Sequence, residues 1–171
     1  MELDEEKYKF VIIKNFAYPT YATIQDADIY HQAVYGSKWK DLEEEEQAQL
    51  IVMATRKIDS YKYAGQKVDE NQGLQFPRIM SNGKISDDLK ITELCCEVAG
   101  YYAKTMSNSG SNASYGDSDM SALVSQLKEY KVGDFQVNFK DNATIDLSGL
   151  DDIIDDALKD WLANQGMEIW L

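Results

Sequence analysis

The chain has 171 residues, 44% of them hydrophobic and 27% charged, with only 10 glycines and 2 prolines. That is the composition of a globular protein, neither disordered nor fibrous, and its length suits one domain with appendages. Lys and Arg total 17 against 30 Asp and Glu, a net charge of −13 with just two arginines, Arg56 and Arg78, which argues against a tight grip on phosphate.

No apolar run approaches the roughly 20 residues that span a bilayer. The start, Met1-Glu2-Leu3-Asp4-Glu5-Glu6, is acidic where a secretory signal is basic and then apolar. The expected setting is therefore a reducing cytoplasm.

In chain order, Tyr8-Lys9-Phe10-Val11-Ile12-Ile13-Lys14 reads as a β-prone run, closed by Pro19. It either pairs within the fold or adds to a neighbour's sheet edge. Residues 1–20 thus form a strand-like N-terminal arm. Thr23-Ile24-Gln25-Asp26 resembles a capping box and opens a helix to about Tyr35, stopped by Gly36. A second helix is expected from Lys40 or Asp41 to about Tyr61. Glu43 to Glu46 sit at its positive end, and Leu50, Ile51, Ala54, Ile58 and Tyr61 form its apolar stripe. Residues 64–86 carry Gly65, Gly73, Pro77 and Asn82-Gly83 and read as an ordered connection. Leu74, Phe76, Ile79 and Met80 should pack it onto the core.

Ser86 is the expected cap of a third helix bearing Leu89, Ile91, Leu94, Cys95, Val98, Tyr101 and Tyr102. The small polar residues at about 107–119 predict a mobile loop, followed by a short helix near 120–129. Phe135, Val137 and Phe139 alternate with polar residues in a strand at about 132–140. The last helix has the clearest pattern, with Ser148 as its cap. Leu150, Ile153, Ile154, Ala157, Leu158, Trp161 and Leu162 make one stripe, and five aspartates line the other face up to a stop at Gly166. The architecture implied is mainly α: a small bundle of about four helices with a short strand or hairpin and an extended C-terminal tail. A domain at 21–165 lies between the arm and the tail.

Candidate chemistry is sparse. His31 has no nucleophile elbow near it and reads as a helix-surface or core-edge residue. Glycines never reach a phosphate-cradling spacing. Asp151, Asp152, Asp155 and Asp156 stand at helical spacing without the Gly-turn loop of a calcium site, so they read as a solvated face. Adjacent Cys95 and Cys96 point about 100° apart on a helix and read as small buried hydrophobes. Asn112-Ala-Ser and Asn142-Ala-Thr match glycosylation sequons that a cytoplasmic chain leaves idle. No catalytic residue, metal ligand or cofactor site is expected. The tail Met167-Glu168-Ile169-Trp170-Leu171 stands out, because four large hydrophobes follow a helix that has already used its stripe. It either folds back on the core or docks on another subunit or protein, with Trp170 as anchor.

From Tyr21 to about residue 140 the sequence resembles a family of tailed-phage proteins often labelled "DnaT-like", which sit in the head–tail connector (adaptor) position. The resembling pieces are Tyr21-Ala-Thr-Ile-Gln-Asp-Ala-Asp-Ile-Tyr30, then Trp39 before an acidic helix start. Leu50-Ile-Val-Met-Ala-Thr-Arg-Lys-Ile-Asp59, Gly65-Gln-Lys67 and Leu74-Gln-Phe-Pro-Arg78 follow, then Glu93-Leu-Cys-Cys-Glu-Val-Ala99 and Lys131-Val-Gly-Asp-Phe-Gln-Val137. The run at 1–20 and the Asp-rich last helix depart from that family.

The resemblance implies a mostly helical, non-catalytic adaptor in the virion neck at the portal vertex, made in the host cytoplasm. Its copies would form a ring, of twelve by analogy, that docks on the portal protein and extends the channel for passing double-stranded DNA. It would offer a platform to a stopper or tail-completion protein, with Met167, Glu168, Ile169, Trp170 and Leu171 as the portal-binding segment and no membrane partner. The −13 per copy suits a channel wall that does not hold phosphate. In the Phe-Pro-Arg loop, Pro77 would fix the backbone and Arg78 would pair with a carboxylate. The alternative takes the DnaT-like label at its word, as a single-stranded-DNA-binding module. That requires aromatics interleaved with basic residues, and Tyr61-Lys62-Tyr63 is the stretch that offers them, although packing at a helix end explains it equally. A third reading, an accessory hydrolase or nuclease of head completion, has no motif behind it.

Overall fold

A computed structural model describes residues 9–108 and 148–163. The loop expected at 107–119 lies outside them from residue 109, as do the short helix near 120–129, the strand at 132–140 and the tail 166–171.

The chain enters as a hairpin. Strand β1 (Lys9–Ile13) pairs antiparallel with β2 (Phe16–Thr20), from Ile13 opposite Phe16 to Lys9 opposite Thr20. The connecting residues Lys14 and Asn15 both have positive φ, 47° and 68°, as a type I′ turn demands. Pro19 therefore does not close an arm; it sits inside β2, opposite Phe10. Helix α1 (Ile24–Gln32) starts from the capping box the sequence announces, with the Thr23 hydroxyl accepting from the Asp26 amide and the Asp26 carboxylate from the Thr23 amide. Desolvation opposes ionisation of Asp26, but those bonds and Lys9 leave its pKa lowered.

A 3₁₀ turn (Trp39–Asp41) precedes α2 (Glu44–Asp59). The helix starts three to four residues later than the sequence suggests, since Glu43 and Glu46 form its capping box. The connection 60–87 is ordered, as expected, and carries a small antiparallel pair, β3 (Gln66–Lys67) with β4 (Arg78–Ile79). Helix α3 (Asp88–Asn108) is capped by Asp87, whose carboxylate accepts from the Leu89 and Lys90 amides. Ser86 instead accepts from the Arg78 amide, so the cap lies one residue later than expected. Helix α4 (Ser148–Leu158) ends well before Gly166, because Trp161 and Leu162 turn away to bridge the backbone around Tyr63.

The described residues are mainly α: four helices and two small strand pairs. The core lies between α2 and α3, where Ile51, Ala54 and Ile58 meet Cys95, Val98, Ala99 and Tyr102. Leu150, Ile154 and Leu158 of α4 close one side, and Val11 and Ile13 of β1 close another. Trp39 is fully buried; its indole N–H donates to Asp28, and His31 stacks on its face. His31 is 5% exposed and so is a core residue, its Nε2 on the Cys96 carbonyl and its Nδ1 facing the Ser37 hydroxyl. Gly100 makes room for that ring: an added Cβ would stand 2.2 Å from His31 Cε1. Both cysteines are free and buried, and burial pushes the Cys95 thiol up to about 12. No helix among the described residues is long and apolar enough to cross a membrane.

Candidate nucleic-acid interface

In a chain of net charge −13, Lys9 to Thr20 contains no acidic residue, and it carries Lys9, Lys14, Phe10, Phe16 and Tyr18. Side chains alternate faces along a strand, so Val11 and Ile13 go inward onto α2 while Phe10 and Ile12 go outward. Opposite residues share a face, which places Ala17 and Pro19 beside Ile12 and Phe10 on the exposed side. Phe10 is 43% exposed, Ile12 61%, and Phe16, at the tip, 68%. Phe10 and Ile12 make a short apolar row on the outer face, whereas Phe16 pairs with Ile13 and is exposed because it stands at the tip.

Two cations flank the row. Lys9 donates to Asp26 at 2.9 Å and to the Thr92 hydroxyl at 3.1 Å, and Lys14 lies 4.0 Å from Glu45. Both pairs are solvent-exposed, so each holds its ammonium by about 1 kcal/mol at most, and phosphate can compete for the same charge. Beside Phe10 lies a cleft of about 470 Å³ over Phe76, Pro77 and Ile91, with Asp69 and Asp88 at its rim. Those carboxylates make the cleft a poor seat for phosphate; the outer face of the hairpin lacks them.

A polar anchor fixes the hairpin to the core. Tyr21, just past β2, donates its hydroxyl to Asp59 and accepts from the Phe76 amide, while Asp59 also accepts from Gln75. The Tyr21 amide donates to Thr55 and its carbonyl accepts from Thr92. Burial, with the Asp59 charge, pushes the Tyr21 phenol up, and burial also raises Asp59.

The other aromatic–basic stretch is spent on packing. Tyr63 is buried, donates to the Ile58 carbonyl at 2.6 Å, and meets Phe76 edge to face at 4.7 Å. Tyr61 donates to Asp151, which Lys57 also holds at 2.6 Å; those hydrogen bonds lower the Asp151 pKa. Arg78 departs from its expected pairing with a carboxylate. Its buried guanidinium donates to the carbonyls of Tyr63, Ala64 and Gly65 and to the side chain of Gln75, tying the connection together through neutral oxygens. Pro77 follows a cis peptide bond.

The glutamates at α2 serve its cap and its exposed face, and the aspartates of α4 line an exposed face, Asp151 and Asp156 in ion pairs, with Asp160 just past the helix paired to Lys84. Among the described residues no three His, Cys, Asp or Glu side chains converge as a metal site. The expected portal-binding residues Met167, Glu168, Ile169, Trp170 and Leu171 lie outside the described residues. Sequence reasoning singled out Tyr61-Lys62-Tyr63 and passed over Lys9 to Tyr18; the absence of acid from that stretch was the available signal.

The profile of the family described as "Putative DnaT-like ssDNA binding protein" matches residues 15–171. The chain belongs to that family. No curated protein and no solved structure matched it. The family match begins in the hairpin turn and includes Phe16 and Tyr18 while leaving out β1. The comparisons support the DnaT-like half of the resemblance drawn from the sequence; the head–tail connector half rests on that resemblance alone.

Proposed function

We propose that the chain is a non-catalytic binding protein that takes single-stranded DNA on the outer face of the β1–β2 hairpin. The observation that carries this is the acid-free hairpin, with Phe10 and Ile12 exposed on its outer face and Phe16 exposed at its tip, in a member of a family described by that ligand. Bases stack on exposed aromatic faces at about 1–3 kcal/mol each, and nearby ammonium groups meet the backbone. With two cations bordering the hairpin, binding is stacking-dominated and weak in salt. Double-stranded DNA, whose bases are already stacked, binds less well. Fluorescence anisotropy of labelled oligo-dT across a salt series tests this. The expected slope of log K against log [salt] is no steeper than about −1.4, from two released counterions at about 0.7 each. Absence of binding at low salt, or equal binding of duplex, overturns it.

A second reading has its own supporting observation. Ile29, Val34 and Tyr35, on or just after α1, are exposed large hydrophobic residues outside the hairpin, and the chain as a whole is acidic. Subunit contacts in a head-to-tail ring would use such faces. This favours the connector: a ring in the virion neck between the portal protein and a stopper or tail-completion protein, through which double-stranded DNA passes. Mass photometry with and without portal, and co-sedimentation of a chain truncated after Gln165, test it. Portal-dependent rings support it, and undiminished co-sedimentation of the truncated chain removes the tail from the contact.

A further inference from the structure

The two edges of the hairpin differ. A two-residue turn makes Ile13 and Phe16 a hydrogen-bonded pair, and the ladder alternates from there. The main-chain groups of Val11, Tyr18, Lys9 and Thr20 are then used inside, while those of Phe10, Ile12, Ala17 and Pro19 point outward. Pro19 has no N–H to offer, so β2 presents a blunted edge. Among the described residues, Phe10 and Ile12 of β1 both keep N–H and C=O, and β1 packs mainly on β2 and α2, with the Lys9 side chain reaching Asp26 of α1 and Thr92 of α3.

We propose that β1 pairs antiparallel with β1 of a second copy, about a two-fold axis at Val11. That register sets Phe10 opposite Ile12 of the second copy, and the reverse, so that each outward N–H meets an outward carbonyl. Each pair exchanges two N–H···O bonds. The same register brings the exposed Phe10 and Ile12 side chains together on the outer face, an aromatic–β-branched contact. Lys9 falls opposite Ile13, so no like charges oppose across the new strand pair. Elsewhere an acidic surface repels a second copy; the acid-free hairpin is where two copies meet without that cost. This is why the occupant is another copy of the chain. One strand pair buries well under the roughly 1,200 Å² of a standard interface, so the dimer is concentration-dependent, with a Kd in the micromolar range or weaker. The inference stands apart from DNA binding, although the joined sheet would present Phe10 of both copies on one face.

Sedimentation velocity of the full chain without DNA, from about 10 µM to about 1 mM, tests it together with amide exchange. The expected result is a sedimentation coefficient that rises with concentration while exchange slows at Phe10 and Ile12. Ile12→Pro removes an outward N–H and abolishes the rise at unchanged melting temperature. Ile12→Lys does the same by charge should the proline variant fail to fold, and Ala17→Lys, on the β2 edge, leaves association intact. A single monomer at the highest concentration overturns the proposal, as does association that survives both Ile12 variants or falls equally with Ala17→Lys. Because no DNA is present, none of these outcomes bears on the oligonucleotide reading.

Discussion

Tyr61-Lys62-Tyr63 and Lys9 to Tyr18 both mix aromatic with basic residues, and the fold uses them in opposite ways. In Tyr61-Lys62-Tyr63 the rings go inward: Tyr63 lies against Phe76 and under Arg78, and Tyr61 is bound to Asp151 of α4. In Lys9 to Tyr18 the strand sends Val11 and Ile13 inward and leaves Phe10, Ile12 and Phe16 in water. The difference lies in what surrounds each stretch. Carbonyls and a carboxylate occupy the polar groups of the first, whereas on the second the lysines sit in exposed ion pairs with Asp26 and Glu45, Lys9 also reaching the Thr92 hydroxyl. Composition alone does not separate a stacking platform from a packed helix end; the partners of each ring do.

The largest effect expected from this contrast is on stability. Tyr63→Ala removes a buried ring and its bond to the Ile58 carbonyl, costing about 3–5 kcal/mol in urea unfolding. Oligonucleotide affinity of the folded fraction should be unchanged. Phe10→Ala and Phe16→Ala should behave the opposite way, with stability within about 1 kcal/mol of the parent and oligo-dT affinity lower by about tenfold each. Comparable losses of affinity from all three substitutions would erase the distinction.

His31 gives a pH signature of the packed interior. Desolvation lowers its pKa despite the hydrogen bond to the Cys96 carbonyl, so the unfolded chain binds a proton that the folded chain refuses. Its contribution to stability is whole above the unfolded value of about 6.5 and declines as pH falls below it. The stabilities of the parent and of His31→Gln from urea titrations should diverge in pH dependence as pH falls below about 6.5, while hairpin variants leave that difference untouched. The smallest effect sits at the turn. Asn15 at φ 68° suits glycine, and Asn15→Gly should stabilise the fold slightly, by a few tenths to about 1 kcal/mol, read as a small rise in melting point.

Much of the helical architecture was legible because it depends on periodic burial and local capping. The stripe Leu150, Ile154, Leu158 and Trp161 is buried as read, and the Thr23–Asp26 box forms as written. Departures came where tertiary partners override local pattern. Trp161 and Leu162 leave the helical path to bridge Tyr63, and Arg78 finds carbonyls brought together by the turn at Gly65, where φ is 72° and a Cβ would stand 2.5 Å from the Ile79 carbonyl oxygen. The hairpin was half legible. The β-prone run was clear, but a Lys-Asn turn lacks glycine, and Pro19 suggested an end where there is an edge strand. The candidate surface was missed for the same reason: without the second strand, nothing fixes which side chains face water.

The central claim is that the displayed aromatics of the hairpin, rather than the packed ones, meet single-stranded DNA. Amide chemical-shift mapping of the full chain during titration with unlabelled oligo-dT reads this most directly. The account predicts shifts concentrated at Phe10, Lys14 and Phe16, with Tyr61 to Tyr63 silent. Shifts centred on Tyr61 to Tyr63, or a hairpin that does not respond at saturating oligonucleotide, would contradict it.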